Sequence, residues 1–481
     1  MPKNLTRLLV WLTRLGDQAA RPLQAWFTAH PDVGWWLRVL RLGLIQFGIG
    51  LSLAPISGAL NRVLITDLKI PAVAVGFLIA LHYFVSPVRA MIGYRSDKAR
   101  SDGKWRTPYV VLGVMLTFAG LTCAPFALIL LGGHGSISFL PAMVICSVIF
   151  IAYGAGINIL ETVYLALVSD ITPAHSRGKV ISVLWIMLVL GTVISAIVVG
   201  AILTTYSHQR LIQVMQASAI IFVLLTVAAL WGQERLRPDG SIISELKMVR
   251  VRLTLWESIR KLGDQRALQA LFGLIFLATM AFATHDVLLE PYGGQVLNMS
   301  VSATMQLTAL WGLMNIVGVG AAGFLLYRKQ PIAFLIGLGC VLGLFGFGIL
   351  SYSSQSLSVP LFQFGVACIS IGRGLFIVGS VILVMSLVDV NHAGLFLGLW
   401  GIVQAMAQGI GVIGSGLLRD VAQFATGQVT TGYNVVYLTS FGLLALVVAI
   451  LVLHLGQHLR VDEIRMPWAG AEEIPADQLI F

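Results

Sequence analysis

The feature that most narrows what this chain can fold into is the apolar run ALQALFGLIFLATMAFA, Ala267–Ala283, and the recurrence of runs like it along the whole sequence. An apolar helix of about 20 residues crosses a hydrocarbon core about 30 Å thick. Such stretches occur at 41–65, 71–93, 107–131, 139–168, 179–204, 211–232, 267–290, 302–327, 331–352, 358–388, 394–418 and 433–456. Only 11% of the residues are charged, against roughly 25% in a soluble domain, so the polar surface needed to cover that much apolar chain in water is missing. Helices satisfy their own backbone groups in lipid. The sequence therefore predicts an all-α polytopic membrane protein with twelve spans. The four cysteines, Cys123, Cys146, Cys340 and Cys368, all fall in apolar runs without paired spacing and read as reduced packing residues.

Charge orients the spans. Of 31 Lys and Arg residues, Arg62, Lys69, Arg210 and Arg419 fall on one side, Arg373 falls in mid-span, and the rest fall on the other side together with both termini. The positive-inside rule makes that richer side cytoplasmic. It also accounts for the net charge of +10 without nucleic acid as a partner. In segment 1–40, Arg7, Arg14 and Arg21 recur every seven residues among leucines and Trp11. This pattern fits either an amphipathic helix lying in the headgroup layer or a solvated arm. It is not a cleavable signal, because no compact apolar core leads to a small-residue cleavage site.

The longest polar interval, 233–266, is basic and separates two bundles of equal length, 41–232 and 267–458, leaving a cytoplasmic tail at 459–481. Six spans on each side of a linker are the mark of an internal repeat.

Two loops then carry recognisable motifs. GYRSDKARSDGKWRTPY, after the second span, supplies Gly93, Asp97, Gly103, Lys104 and Arg106, and SDITPAHSRGKVIS, after the fourth, supplies Asp170, Arg177 and Gly178. The first resembles the Gly-x-x-x-Asp-Arg-x-Gly-Arg-Arg loop of the major facilitator superfamily with three extra residues before Gly103; the second is similar to its Asp-x-x-Pro-x-x-x-Arg-Gly loop. Within that superfamily, GALNRVLITDL (Gly58–Leu68), GYRSD (Gly93–Asp97) and HDVLLEPYGG (His285–Gly294) resemble the PucC/LhaA group of purple phototrophic bacteria, over about residues 40–455. The resemblance implies a major facilitator fold and a place in the intracytoplasmic photosynthetic membrane, the bacterial inner membrane. It also implies a role in assembling light-harvesting antennas, with bacteriochlorophyll as bound cargo and single-span antenna polypeptides as partners.

The superfamily lines its cavity with spans 1, 4, 7 and 10. The intramembrane charges of this sequence fall on those spans: Arg62 beside Asn61, Glu161, Asp286 with Glu290, and Arg373. A lone charge at mid-bilayer costs at least about 2.5–3.5 kcal/mol, so each needs a partner or water. Pro291 and the glycine pair Gly293–Gly294 predict that span 7 ends at Glu290. An acid at a helix C-terminus opposes the dipole, so capping does not explain it. The repeat sets Asn61 and Arg62 opposite Glu290 and Pro291, predicting an Arg62–Glu290 pair that serves as a latch between halves or as a ligand or proton site. For Arg373 the partner is either Asp286 or Glu161.

Magnesium in a bacteriochlorophyll takes one axial ligand such as imidazole or an amide oxygen. His285, His82, Asn158, Gln404 and Gln408 are the candidates near apolar surface. Each also has an ordinary reading as a hydrogen-bonded packing residue, and for the two glutamines a bond between helices is favoured. GVGAAG (Gly318–Gly323) and GIGVIG (Gly409–Gly414) match a dinucleotide fingerprint but lack the strand–turn–helix context, so they read as close-packing helix faces. No phosphate loop, nucleophile elbow or Cys/His cluster is present, and no enzymatic activity is expected. Three functions stay open: pigment delivery during antenna assembly, proton-coupled transport of a small solute, and a pigment-free scaffold for antenna polypeptides.

Overall fold

In the computed structural model the described residues are 31–101, 106–132, 137–172, 177–230, 266–386 and 393–455, and among them there are helices and no strands. Ten helices are long and apolar enough to cross a membrane. Two shorter apolar helices, Ala72–Phe84 and Gln269–Ala283, stand where the sequence places spans 2 and 7. In chain order the first half comprises α1 (Pro31–Ala54), α2 (Ala72–Phe84), α3 (Val88–Ser101), α4 (Thr107–Cys123), α5 (Phe139–Ile171), α6 (Arg177–Ile202) and α7 (His208–Leu230). The second comprises α8 (Arg266–Ala283), α9 (Leu289–Gln295), α10 (Val301–Tyr327), α11 (Ile332–Ser356), α12 (Val359–Ser386), α13 (Ala393–Thr426) and α14 (Val429–Ile450).

Helix pairing repeats between the halves. In the first, α1 packs against α6 and α7, α5 against α2 and α4, and α4 against α7. In the second, α8 packs against α13 and α14, α12 against α10 and α11, and α11 against α14. One set becomes the other on moving six span positions along the chain. The two crossings that join the halves, α6 with α10 and α2 with α13, exchange under the same shift. This repeated pairing is that of the major facilitator fold.

Small residues set the approach of the halves. A Cβ on Gly416 of α13 would stand 2.7 Å from the Ala72 carbonyl of α2, and one on Gly76 would stand 3.0 Å from the Val412 carbonyl. Of the two dismissed glycine motifs, Gly318 and Gly411 make such backbone approaches, to Ile371 and Met280, whereas Gly320, Gly323 and Gly414 meet open space. On the outside of α5, Val144, Val148 and Ile151 form an exposed apolar stripe at helical spacing. Such a face suits lipid.

Three helix boundaries depart from the sequence reading. Among the described residues the helix of the first span runs from Pro31 rather than 41, taking in Trp35, Trp36, Leu37, Val39 and Leu40. Residues 1–30, 231–265 and 456–481 lie outside the described residues, and with them the expected surface helices and tail. Span 2 is interrupted at Val85–Pro87, where proline lacks an N–H, and resumes as α3. The first span ends in two π-helical segments, Pro55–Leu60 and Val63–Asp67. A π turn brings residues five apart into register where an α turn brings those three or four apart.

Candidate functional site

The stretch THDVLLEPYGG does not end a helix at Glu290. The span breaks earlier, at Thr284–Leu288. Thr284 donates to the Ala281 carbonyl at 2.8 Å, and the Nδ1 nitrogen of His285 donates to the Phe282 carbonyl at 2.6 Å. Side chains that take backbone acceptors compete with continuation of the helix. The chain coils again at Leu289, so Glu290 sits in the first turn of α9 and Pro291 stands where no intrahelical N–H bond is needed. The expected end at Glu290 and the dipole argument built on it are thereby corrected.

Inside that break Asp286 meets Arg373. Nη1 of Arg373 donates to both carboxylate oxygens, at 2.7 and 2.9 Å, and its guanidinium lies 5.3 Å from the Trp311 ring. This chooses between the two expected partners: a carboxylate stands in this greasy span because an arginine on α12 needs a counter-ion. Glu161 has a different partner. Nη2 of Arg89, at the start of α3, reaches it at 2.5 Å, and Nε of Arg89 donates to Asn158 one turn earlier. Arg89 is absent from the residues singled out in the sequence, where it reads as loop charge. The available signal was Pro87, which ends span 2 early and swings the next basic residue back toward α5.

Arg62 and Glu290, expected to pair, do not. Nη1 of Arg62 binds the carboxylate of Asp67 at 3.0 and 2.9 Å, and Nη2 donates to the Met299 carbonyl at 3.2 Å. The physical reason is the π-helical end of the first span, which sets Asp67, five residues on, against Arg62. Asn61 does cross between the halves, donating to the Val287 carbonyl at 2.9 Å. Gln295 crosses as well: its amide donates to the Ile65 carbonyl at 2.9 Å and accepts from Arg419 at 2.5 Å and Tyr433 at 2.8 Å. Arg419 also binds Asp420 at 2.7 Å, and Asp420 accepts from the backbone N–H of Val73 at 2.9 Å. Four hydrogen bonds thus tie one half to the other at this end of the bundle. Glu290 lies just within it, 3% exposed, with Oε1 accepting from Thr308 at 2.6 Å and Oε2 without a partner.

Of the loop motifs, Gly93 lies in α3, 3.4 Å as a notional Cβ from Thr162, and Arg106 is buried with Nη1 donating to Ser96 at 2.8 Å. Gly103 and Lys104 lie outside the described residues, and Asp97, Asp170, Arg177 and Gly178 are described in backbone only, within helices.

The five candidate ligands separate by what each has left to offer. Asn158 is fully engaged, accepting from Arg89 and donating to the carbonyls of His82 and Gly154. Gln404 accepts from Thr279 of α8 at 2.6 Å, a bond between helices. Both histidines donate from Nδ1 to a carbonyl three residues back, Ile79 or Phe282, so that in the neutral form of the ring Nε2 carries the lone pair. His285 is 1% exposed and enclosed by Trp311 and Phe347. His82 is half-buried on α2, with the Arg89 and Asp286 charges both in electrostatic range. Gln408 is half-buried beside Gly409, whose notional Cβ lies 2.9 Å from the Phe84 ring, where α2 meets α13.

Comparison with known proteins places this arrangement. The sequence pattern of the PUCC protein family matches residues 59–457. The chain belongs to the PUCC family. It is 36% identical to Protein PucC of Rhodobacter capsulatus, covering 86% of this chain and 90% of that one, and 35% identical to Protein PucC of Rhodovulum sulfidophilum, covering 82% and 87%. The Bacteriochlorophyll synthase 44.5 kDa chain of Rhodobacter capsulatus is 28% identical, covering 79% and 87%. Among solved structures, the nucleoside transporter NupG superposes with a TM-score of 0.62 at 15% identity, covering 86% of this chain and 98% of that one. A bacterial homolog of the human lysosomal transporter Spinster, in an inward-facing and occupied conformation, gives 0.62 at 13%, covering 86% and 95%. These structures share the fold.

The family segments GALNRVLITDL and HDVLLEPYGG, far apart in sequence, meet in space. Asn61 from the first bonds the carbonyl of Val287 in the second, and a Cβ on Gly294 would lie 3.0 Å from Thr66 and 3.1 Å from Arg62.

Proposed function

We propose that this membrane protein binds bacteriochlorophyll within the bilayer and hands it to single-span antenna polypeptides, without an enzymatic step. The observation that carries the reading is the match to PucC proteins along most of the chain; the name of a further relative refers to bacteriochlorophyll. The chain's own residues fit such a cargo at one place best. His82 holds Nδ1 on a backbone carbonyl and presents Nε2 from a half-buried position on α2, where its Cα and Cβ pack on Gly154 of α5. A metal-ligating histidine characteristically anchors its other nitrogen in this way. His285 shares the anchoring, but its enclosure leaves no room for a macrocycle. Asn158 and Gln404 spend their amide oxygens on protein partners. The pigment's apolar tail is best kept out of water, so the site opens sideways to lipid rather than into a sealed polar cavity.

Protein purified from a pigment-making host should carry bacteriochlorophyll with a Qy band displaced from that of free pigment in the same detergent. His82→Phe should move that band, whereas His285→Phe should leave it in place. A preparation with no pigment above a matched control facilitator would overturn delivery and favour the scaffold. Proton-coupled solute transport stays as a second reading, supported by the transporter fold and the buried carboxyl of Glu290. The charge distribution supports a cytoplasmic side of the inner membrane for both termini and the 233–266 linker. In intact cells an impermeant thiol probe should then reach Ser138→Cys and miss Ser244→Cys, and the reverse would invert the topology.

A further inference from the structure

The backbone carbonyl of His82 has a donor that its own helix does not supply. In an unbroken helix it would accept from the N–H of Ser86, four residues on. Pro87 has no N–H to offer the Tyr83 carbonyl, so Ser86 donates there instead, at 3.0 Å, and the His82 carbonyl is released. Inside a membrane a freed carbonyl needs another donor. A hydroxyl four residues on often serves, as Thr162 serves Asn158 and Thr117 serves Gly113. Here that hydroxyl belongs to Ser86, and it has no partner. The donor comes from a different helix. Nδ2 of Asn158 on α5 reaches the His82 carbonyl at 3.0 Å and the Gly154 carbonyl at 2.7 Å.

The neighbouring contacts fix that reach. Because Gly154 lacks a side chain, α5 lies directly on the backbone of His82; a Cβ there would stand 2.5 Å from both its Cα and its Cβ. Arg89 donates from Nε to Oδ1 of Asn158, which sets the amide the right way round, and Glu161 holds Nη2 of Arg89 at 2.5 Å. Asn158 is 2% exposed and fully engaged, so whatever it does beyond packing it does through His82. The bond from Nδ1 to the Ile79 carbonyl, 2.8 Å, ties the ring only to its own turn. That turn adjoins the break, and α5 ties the turn to the bundle.

We propose, on the reading that this protein carries bacteriochlorophyll, that Glu161, Arg89 and Asn158 are positioning residues for the magnesium ligand. They set the backbone of His82, and with it the height and plane of the imidazole that meets the macrocycle. Groups that orient a ligating histidine from outside the coordination sphere are worth about 10–100-fold in metal affinity. A bond that merely joined α2 to α5 would raise stability and leave the spectrum of a bound pigment alone.

The test uses the full chain in lipid nanodiscs titrated with bacteriochlorophyll, with affinity, Qy position and thermal unfolding followed for each variant. Asn158→Asp keeps the volume and the acceptor for Arg89, but its carboxylate has no hydrogen for the His82 carbonyl. It should weaken binding about 10-fold and displace Qy from the parent position, and Asn158→Leu should do the same. Thr279→Val, which removes a buried bond between helices of the other half, should lower the unfolding temperature while affinity and Qy stay at the parent values. A second readout needs no pigment. With histidine labelled by 13C at its carbonyl, the infrared component that disappears in His82→Phe should move to higher wavenumber in Asn158→Leu. Parent affinity and Qy in both Asn158 variants, or binding that falls only in step with the unfolded fraction, would overturn positioning alone. So would a carbonyl component that does not move, or a parent Qy indifferent to His82→Phe. A parent that binds no pigment would overturn the delivery reading and positioning together.

Discussion

The middle of the bundle and its Asp67 end are both built from arginine, carboxylate and amide groups, yet they are wired differently. In the middle each ion pair stays within one half: Arg89 with Glu161 in the first, Arg373 with Asp286 in the second. At the Asp67 end the pairs Arg62–Asp67 and Arg419–Asp420 are also internal to their halves, but Gln295, Asn61, Arg62 and Asp420 bond across the gap. The central pairs keep each bundle intact in lipid. The end network runs between the two bundles, alongside the α6–α10 and α2–α13 crossings. Parts that can move as units need cohesion inside and weak, replaceable bonds between, and neutral or charge-assisted hydrogen bonds to backbone carbonyls are of that weaker kind.

That division can be broken by experiment. Arg373→Ala leaves Asp286 uncompensated in a site where the arginine is 10% exposed, and should cost about 3–5 kcal/mol. It should appear as a large drop in thermal unfolding temperature, much of it recovered by pairing Arg373→Met with Asp286→Leu. If the distance between spin labels at the exposed positions Thr205 and Gln428, one in each half, also widened in the folded fraction, the central pair would be doing the end's task. Arg89→Ala should cost a similar amount, roughly 3–5 kcal/mol, because the carboxylate it strands, Glu161, is 14% exposed against 19% for Asp286. Gln295→Ala removes three bonds worth about 0.5–1.5 kcal/mol each, so it should lower the unfolding temperature moderately and also widen the label distance. An unchanged distance would show that the halves are held elsewhere.

The same contrast explains what could be read from sequence. Lipid forces every spanning segment to announce itself as an apolar run, so the all-helical membrane fold was legible, as was the need of Arg373 for a carboxylate. Partners were not, because they depend on local backbone irregularities that composition hides. A π-helical end set Asp67 rather than Glu290 against Arg62. Thr284 and His285 broke span 7 before Pro291 was reached. Pro87 turned Arg89 from a loop charge into the partner of Glu161. The unpaired state of Glu290 followed from these misplacements and became visible only with atoms in place.

Delivery is the central claim, and a transfer measurement tests it most directly. Pigment-loaded protein and pigment-free antenna polypeptides, reconstituted in one bilayer, should show the Qy band of the carrier decline as the antenna band rises. Transfer should be faster than from an equal amount of free pigment in the same lipid, and His82→Phe should slow it. Antenna that acquires pigment at the same rate with or without this protein would contradict the account.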